Sequence, residues 1–430
     1  MPRSQAEPLL LTPGPVSVSA STKAVMLKDR ASGGDEFVRD LTLARDYMVS
    51  LVGGDGGYTA IPLPGSATYA NEAVIATLVP EGGKLLIHTN GVYGDRLIEI
   101  CTHAGTAHAV IRTEPFVPPT PAQFEQAILA DPAITHVFIV HCETSTGVLN
   151  PLEGVADVCR KHAKGLLIDA VASFGAMPID ARRLGFQAVT VSSNKCMQSV
   201  PGIGWSVVQK AALENARGRC KTLVLDLWDH AQHMDRTNSF RFTPPTQVFA
   251  AFAQACREHE AEGGTEARLA RYRRNWRRLV DGMRQLGFRT VVPDEAASPI
   301  VATFHNPSDP KFSFQELFEG MKRRGFIIFP GRLALAETFR IGCMGDVTEA
   351  DMAEAIAAVA DDARDGRGGD RPHRSRGRLR RRLPPAAAAE PDRRDLAWKL
   401  GVNEEITDPN RRQRELRNFV DVLVFGRGRN

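Results

Sequence analysis

Between about residues 60 and 210 the chain alternates short, unbroken apolar runs with helix-patterned segments, and nothing else in it restricts the fold as strongly. The runs include Leu85-Leu86-Ile87-His88, His136-Val137-Phe138-Ile139-Val140, Leu166-Leu167-Ile168-Asp169 and Ala188-Val189-Thr190-Val191. A strand with one wet face alternates apolar and polar residues. These runs do not alternate, so helices are expected on both faces of a mostly parallel sheet, and the fold class is read as α/β. Several runs end in polar residues: His88-Thr89-Asn90, His141-Cys142-Glu143-Thr144, Asp169, and Ser192-Ser193-Asn194-Lys195. Ligands of open α/β sheets bind beyond the carboxyl ends of the strands, so four polar ends predict one composite site.

The second half changes character. Leu269, Tyr272, Trp276, Leu279 and Met283 recur at helical steps within residues 265–286, with arginines expected on the other face and Gly287 at the stop. Strands are expected over 288–292, 299–304 and 326–329, with helices over 313–324 and 348–360, which together describe a smaller α+β domain. After Asp362 the chain is rich in Arg, Gly, Pro and Ala without periodicity and is expected to be disordered, with a short helix around 409–419. The expected organisation is an N-terminal arm (1–20), a large domain (21–260), a small domain (261–361) and a tail (362–430).

Composition narrows the partners. The formal charge of +4 is uneven, because residues 361–430 hold 18 basic and 12 acidic side chains while the rest is slightly acidic. The body therefore gives no reason to expect nucleic-acid binding. An Arg-rich tail contacting nucleic acid is the competing reading, but the tail interleaves acidic residues and has few aromatics to stack bases. No apolar run approaches the ~20 residues of a membrane span, and the first residues do not resemble a secretory signal. Seven scattered cysteines without a CxxC pair fit reduced thiols, so a cytoplasmic soluble protein is expected. His230 and His233 have no third ligand nearby, so no metal is expected.

Two groups of residues carry chemistry. Asp169 is followed 26 positions later by Lys195, each at the expected end of a buried strand. Gly65-Ser66-Ala67-Thr68 stands directly before a helical run, 69–78. Each has a plain structural alternative: a strand-end lysine is commonly solvated, and Ser or Thr at a helix start is commonly a cap. The functional alternative is an anion cradle of free N–H groups and hydroxyls at the helix terminus, beside an amine and a carboxylate. Those are the parts pyridoxal phosphate requires: an amine for its aldehyde, an acid for its ring nitrogen and a holder for its phosphate. Tyr93, between Gly91 and Gly94 in an expected loop, is a candidate cover for the ring.

The segments Leu11-Thr12-Pro13-Gly14-Pro15, Gly65 through Ala73, His141 through Gly147, Asp169-Ala170-Val171-Ala172-Ser173-Phe174-Gly175 and Ser193-Asn194-Lys195-Cys196 occur in this order. Together they resemble the class V, fold type I pyridoxal-phosphate aminotransferases. Within that class, Ser193 through Gly202, Arg241-Phe242-Thr243, Phe329-Pro330-Gly331 and Phe339-Arg340-Ile341-Gly342 resemble the aminotransferases that use 2-aminoethylphosphonate and pyruvate. The likeness spans residues 9 to about 360.

The resemblance implies a mostly parallel seven-stranded sheet sandwiched by helices, a homodimer, and a role for each matching position. Lys195 would form the Schiff base and shuttle the proton, and Asp169 would pair with the ring nitrogen. Tyr93 and Val171 would cover the two ring faces. Ser66, Ala67 and Thr68 would hold the phosphate, with Asn194 and Thr144 as further contacts and Thr243 reaching in across a dimer interface. Arg340 would bind the substrate anion, with Gly14 beside it. An arginine between apolar neighbours, as in Phe339-Arg340-Ile341, would be costly to bury unpaired, and its planar fork suits a carboxylate or phosphonate. Alanine–glyoxylate or serine–glyoxylate aminotransfer, or a lyase acting on a related aminophosphonate, would need a similar anion site and remain open. Ala67, Ser199 and Arg332 depart from the family's usual residues, and residues 28–37 diverge most.

Overall fold

The computed structural model describes residues 7–330 and 337–365, with side chains through Asp361. The remainder of the tail, including the helix expected over 409–419, lies outside the described residues, as does Arg332.

The apolar runs form the strands expected of them. Strands β1 (Tyr58–Pro64), β2 (Lys84–Thr89), β3 (His108–Arg112), β4 (Ile134–Val140), β5 (Gly165–Asp169), β6 (Ala188–Ser192) and β7 (Ile203–Gln209) make one sheet in the order β1-β7-β6-β5-β4-β2-β3. Neighbours from β6 to β3 pair in parallel, and β7 is antiparallel to both β6 and β1. All five residues of β5 and of β6 are buried, which is why their sequences show no polar alternation. Helices α1 (Asp35–Ser50), α2 (Ala67–Leu78), α3 (Val92–Ala104), α4 (Pro121–Ala130) and α5 (Glu153–Lys161) contribute to the core around this sheet. Because β7 reverses direction twice over, β1 runs the same way as the parallel strands. The start of α2 therefore lies at the same edge as the ends of β2, β4, β5 and β6.

A second core forms around β8 (Val301–His305), β9 (Phe329–Pro330) and β10 (Thr338–Gly342), in the order β8-β10-β9 and antiparallel throughout. After α6 (Thr246–Glu262), the helices α7 (Gly264–Gln285), α8 (Phe314–Arg323) and α9 (Glu349–Asp365) join it. Two expectations need correcting here. Residues 288–292 do not form a strand: only a bridge between Thr290 and Phe304 remains, because that stretch turns away again at Val291-Val292. The arginines of α7 are not all on its outer face either, since Arg268 is 1% exposed. It donates to the Cys196 carbonyl at 2.7 Å and pairs with Glu262, so a charge on the buried face is matched rather than stranded.

The N-terminal segment belongs to this second core. Leu9–Leu10 pairs in parallel with Phe326–Ile327, and the Leu11 carbonyl accepts from the Gly342 amide at 2.9 Å. A side chain on Gly342 would collide with the backbone of Thr12, so glycine is what lets the segment lie flat on the end of β10. Residues just after Leu11 are thereby carried toward the edge of the large sheet.

Candidate active site

Asp169 ends β5 and is 3% exposed. Its Oδ1 accepts from the Val171 amide at 3.0 Å and its Oδ2 from Asn71 Nδ2 at 2.7 Å. Burial pushes its proton affinity up, and those two donors with the charges of Arg96 and Lys195 act against that. Lys195 lies in the turn after β6, with Nζ donating to the Pro13 carbonyl at 2.6 Å. Burial pushes its ammonium down to about 8, with the positive Arg340 adding to that and Asp169 opposing it. An amine so placed is substantially neutral in weakly alkaline water, the form that attacks a carbonyl. Gly14, at φ +116°, leans against the same amine, and any side chain there would overlap it.

Ser66, Ala67 and Thr68 open α2. Ser66 occupies the N-cap position, yet its hydroxyl makes no capping bond, so the plain cap reading of this serine does not describe it. The first N–H groups of a helix have no intrahelical acceptor, and here they stand beside two hydroxyls. At the neighbouring strand end, Asn194 Oδ1 accepts from Ser192 Oγ.

Tyr93 is in the first turn of α3 and not in a loop, which corrects the expectation drawn from its flanking glycines. Those glycines serve close packing instead: a side chain on Gly91 would strike Glu143 and Ser145, and one on Gly94 would strike Thr89. The start of α3 is held by the fully buried Glu143, whose Oε2 accepts from the amides of Tyr93 (2.9 Å) and Gly94 (3.3 Å). Its Oε1 accepts from the amide and hydroxyl of Ser145. A carboxylate at a helix N-terminus is favoured by the helix dipole, although burial pushes the Glu143 carboxyl up. The Arg96 guanidinium lies over the Tyr93 ring, 5.1 Å from its centre.

Arg340, on β10, is 1% exposed and bridges the two cores. Its Nη1 donates to the Thr144 carbonyl at 2.7 Å and its Nη2 to the Pro330 carbonyl at 2.9 Å, with the Phe329 ring 5.5 Å away. Thr144 thus enters through its backbone. Thr243 is the expected residue that stays apart: it is exposed in the stretch before α6 and has no hydrogen bond to another candidate among the described residues.

Asn71, Glu143, Thr190 and Arg268 hold the site together in roles that no pattern along the chain assigned to them. Asn71 did leave a signal, as a polar residue in the buried stripe Ala67, Ala70, Asn71, Val74, Leu78. His141 is structural: its Nδ1 bonds to Ser173 Oγ at 2.9 Å, and burial pushes the imidazole down to about 4. Among the described residues no cluster of His, Cys, Asp and Glu is arranged to hold a metal. The Cys196 thiol donates to the Ala172 carbonyl and is pushed up by burial, so it is no nucleophile.

An amine, an anchored acid, an uncapped helix start and a buried guanidinium thus meet at one sheet edge. Comparison with known proteins agrees with that chemistry. The chain is 44% identical over 365 residues to a 2-aminoethylphosphonate–pyruvate transaminase of Pseudomonas aeruginosa, covering 85% of this chain and 98% of the relative. It is 45% identical over 358 residues to one from Pseudomonas fluorescens, covering 83% and 97%. Among solved structures, a ureidoglycine–glyoxylate aminotransferase from Bacillus subtilis superposes with a TM-score of 0.78 at 22% identity, covering 86% of this chain and 97% of that one, a likeness of fold. The family description "Aminotransferase class-V" matches residues 32–317. With that match laid over this arrangement of Lys195, Asp169 and the start of α2, the chain belongs to the class-V aminotransferases.

Proposed function

We propose that this chain is a pyridoxal-phosphate-dependent aminotransferase that moves the amino group of 2-aminoethylphosphonate to pyruvate, giving phosphonoacetaldehyde and L-alanine. The nitrogen passes to the keto acid and the carbonyl oxygen to the aldehyde, so the exchange needs no external oxidant or reductant. The observation that carries the substrate assignment is the 44% identity to transaminases of that name across nearly their whole length. The buried Arg340 beside Lys195 supports it.

The residues present fit the cofactor. The Ser66 hydroxyl is not spent on capping, and the Asp169 oxygens each accept one donor and keep lone pairs for another. When bound, pyridoxal phosphate supplies an aldehyde for amines and a protonated ring that takes up the electron pair released at the substrate carbon. In this reading Ser66, Thr68 and the Ala67 amide hold the phosphate, with Asn194 and Thr144 nearby. Asp169 keeps the ring nitrogen protonated, and Tyr93 and Val171 flank the ring. Lys195 Nζ would take up the proton released at the substrate carbon and hand it on. Arg340, with Gly14 leaving room beside it, holds the phosphonate of the donor and then the carboxylate of pyruvate.

Residues 21–260 would carry the cofactor in this reading, with 1–20 and 261–361 closing the substrate side. The active unit would be a homodimer, with Thr243 completing the phosphate site across the interface; its exposure supports this. Seven unpaired cysteines support a reducing cytoplasm. No helix among the described residues is long and apolar enough to cross a membrane.

Adding 2-aminoethylphosphonate alone to the coloured holoenzyme should bleach its visible absorbance, and pyruvate should restore it. If serine or alanine bleaches the enzyme and 2-aminoethylphosphonate does not, the substrate assignment is wrong. Arg340→Ala should lower kcat/KM about 10²-fold for both substrates, the worth of a charge-assisted pair, while the absorbance of the resting holoenzyme persists. Steady-state kinetics at saturating cofactor read this directly.

A further inference from the structure

Asn71 is a polar residue where the packing calls for an apolar one. It lies on the face of α2 that packs on β6 and β7, and it is 4% exposed. Its amide is engaged at both ends. Nδ2 donates to Asp169 Oδ2 at 2.7 Å, and Oδ1 accepts from Thr190 Oγ at 2.5 Å. Thr190, fully buried on β6, is the register partner of Asp169 on β5, so the three residues close a small ring across α2 and the two strands. The other acceptor within reach of the Thr190 hydroxyl is the Ile168 carbonyl, at 3.5 Å. The short bond to Asn71 is therefore the favoured one, and it turns the NH₂ of the amide toward Asp169.

The direction of that bond has a chemical consequence. An amide NH₂ can only donate, so it stabilises Asp169 as an anion and disfavours its protonated form. Burial pulls the opposite way. The other titratable or charged groups facing Asp169 are Lys195, Arg96 and the Cys142 thiol. The two cations help the anion without fixing its orientation. Asn71 does both, because its contact is direct and the amide is itself pinned by Thr190.

We propose that Asn71 is a positioning residue that holds Asp169 as an oriented anion, and that it thereby decides on which side of the carboxylate–pyridine hydrogen bond the proton rests. This rests on the cofactor reading above and extends it to Asn71, which acts through Asp169. Losing the Asn71 donor raises the proton affinity of Asp169, so the ring nitrogen gives up its proton at lower pH. One hydrogen bond to a charged group corresponds to roughly a tenfold to hundredfold change in that equilibrium.

The test is nitrogen magnetic resonance on holoenzyme loaded with pyridoxal phosphate labelled with ¹⁵N in the ring, followed between pH 6 and 9. The wild-type ring nitrogen should stay at its protonated position. In Asn71→Leu, which keeps the branching at Cγ and removes the donor, it should move toward the unprotonated position and become pH-dependent, with kcat falling more than KM rises. Thr190→Val, which frees the amide to turn over, should move the signal the same way by less. Should the leucine variant fail to fold, Asn71→Ala reads the same quantity. A cofactor-loaded Asn71 variant whose ring nitrogen resonates where the wild type does, at every pH, overturns the inference while leaving the aminotransferase reading intact. A wild-type protein that binds no cofactor overturns both.

Discussion

Lys195→Ala should abolish transamination, with turnover reduced by about 10⁴-fold or more, since in the proposed function the residue is both nucleophile and proton carrier. Among the described residues no other amine is held at this sheet edge under the same constraints. Its Nζ is fixed by the Pro13 carbonyl at 2.6 Å, and burial brings it down to about 8. The fold should survive, because the substitution removes one hydrogen bond worth about 1 kcal/mol. Borohydride should fix the cofactor to the wild-type protein and leave the variant unlabelled, with melting temperatures close together. Lys195→Arg is the sharper control: it keeps a positive charge and a donor for Pro13 but cannot condense with an aldehyde, so it should be as inactive as alanine. The same chemistry has a pH signature. Burial disfavours the ammonium, so the reactive neutral amine grows as pH rises through about 8. In the cofactor-free protein, acylation of Lys195 by a small reagent, followed by mass spectrometry, should show that midpoint, with exposed lysines reacting only at higher pH. Retention of more than a hundredth of the wild-type turnover by the alanine variant would sink the assignment.

Asp169→Asn should cost on the order of 10²–10³-fold in kcat, the usual scale for removing one preorganised electrostatic partner from a buried site. The substitution preserves shape and removes only the charge. In the proposed reading a neutral amide could still approach the ring nitrogen but would not hold a proton there, and the sink that pyridoxal phosphate would supply for the substrate's electrons would be lost. Asn71 would then face an amide in place of an anion, and its short contact to Oδ2 would weaken or turn over. Cofactor affinity should fall less than turnover, because the start of α2 and the Lys195 amine are untouched. Single-turnover absorbance changes with 2-aminoethylphosphonate separate the two quantities. If the half-reaction slows less than tenfold, Asp169 is not the ring's partner.

The legible parts of this protein were those encoded by neighbours in the chain. β5 and β6 could be read as buried because every residue of Gly165–Asp169 and Ala188–Ser192 meets a covered face, leaving no polar alternation. The polar residues at the ends of those runs pointed to the site for the same reason. The expected loop around Tyr93 failed because glycine marks close approach as well as flexibility. Gly94 brings the first turn of α3 against Thr89, and that contact exists only once the helix is folded onto its strand. The expected strand over 288–292 failed because a short apolar run pairs only as far as its neighbour follows it, and pairing stopped at Thr290.

The class of chemistry was already written along the chain: a buried parallel sheet, a carboxylate and an amine at adjacent strand ends, and a hydroxyl-rich helix start. These are properties of local pattern, and local pattern survives in one dimension. How those groups are tuned was set by folding. It brought Pro13 to Lys195 across 182 positions, Arg340 to the Thr144 carbonyl across 196, and Asn71 to Asp169 across 98. Burial and hydrogen-bond direction, which set the charge of each group, arise from what lies against it in space, and no spacing along the chain carries that.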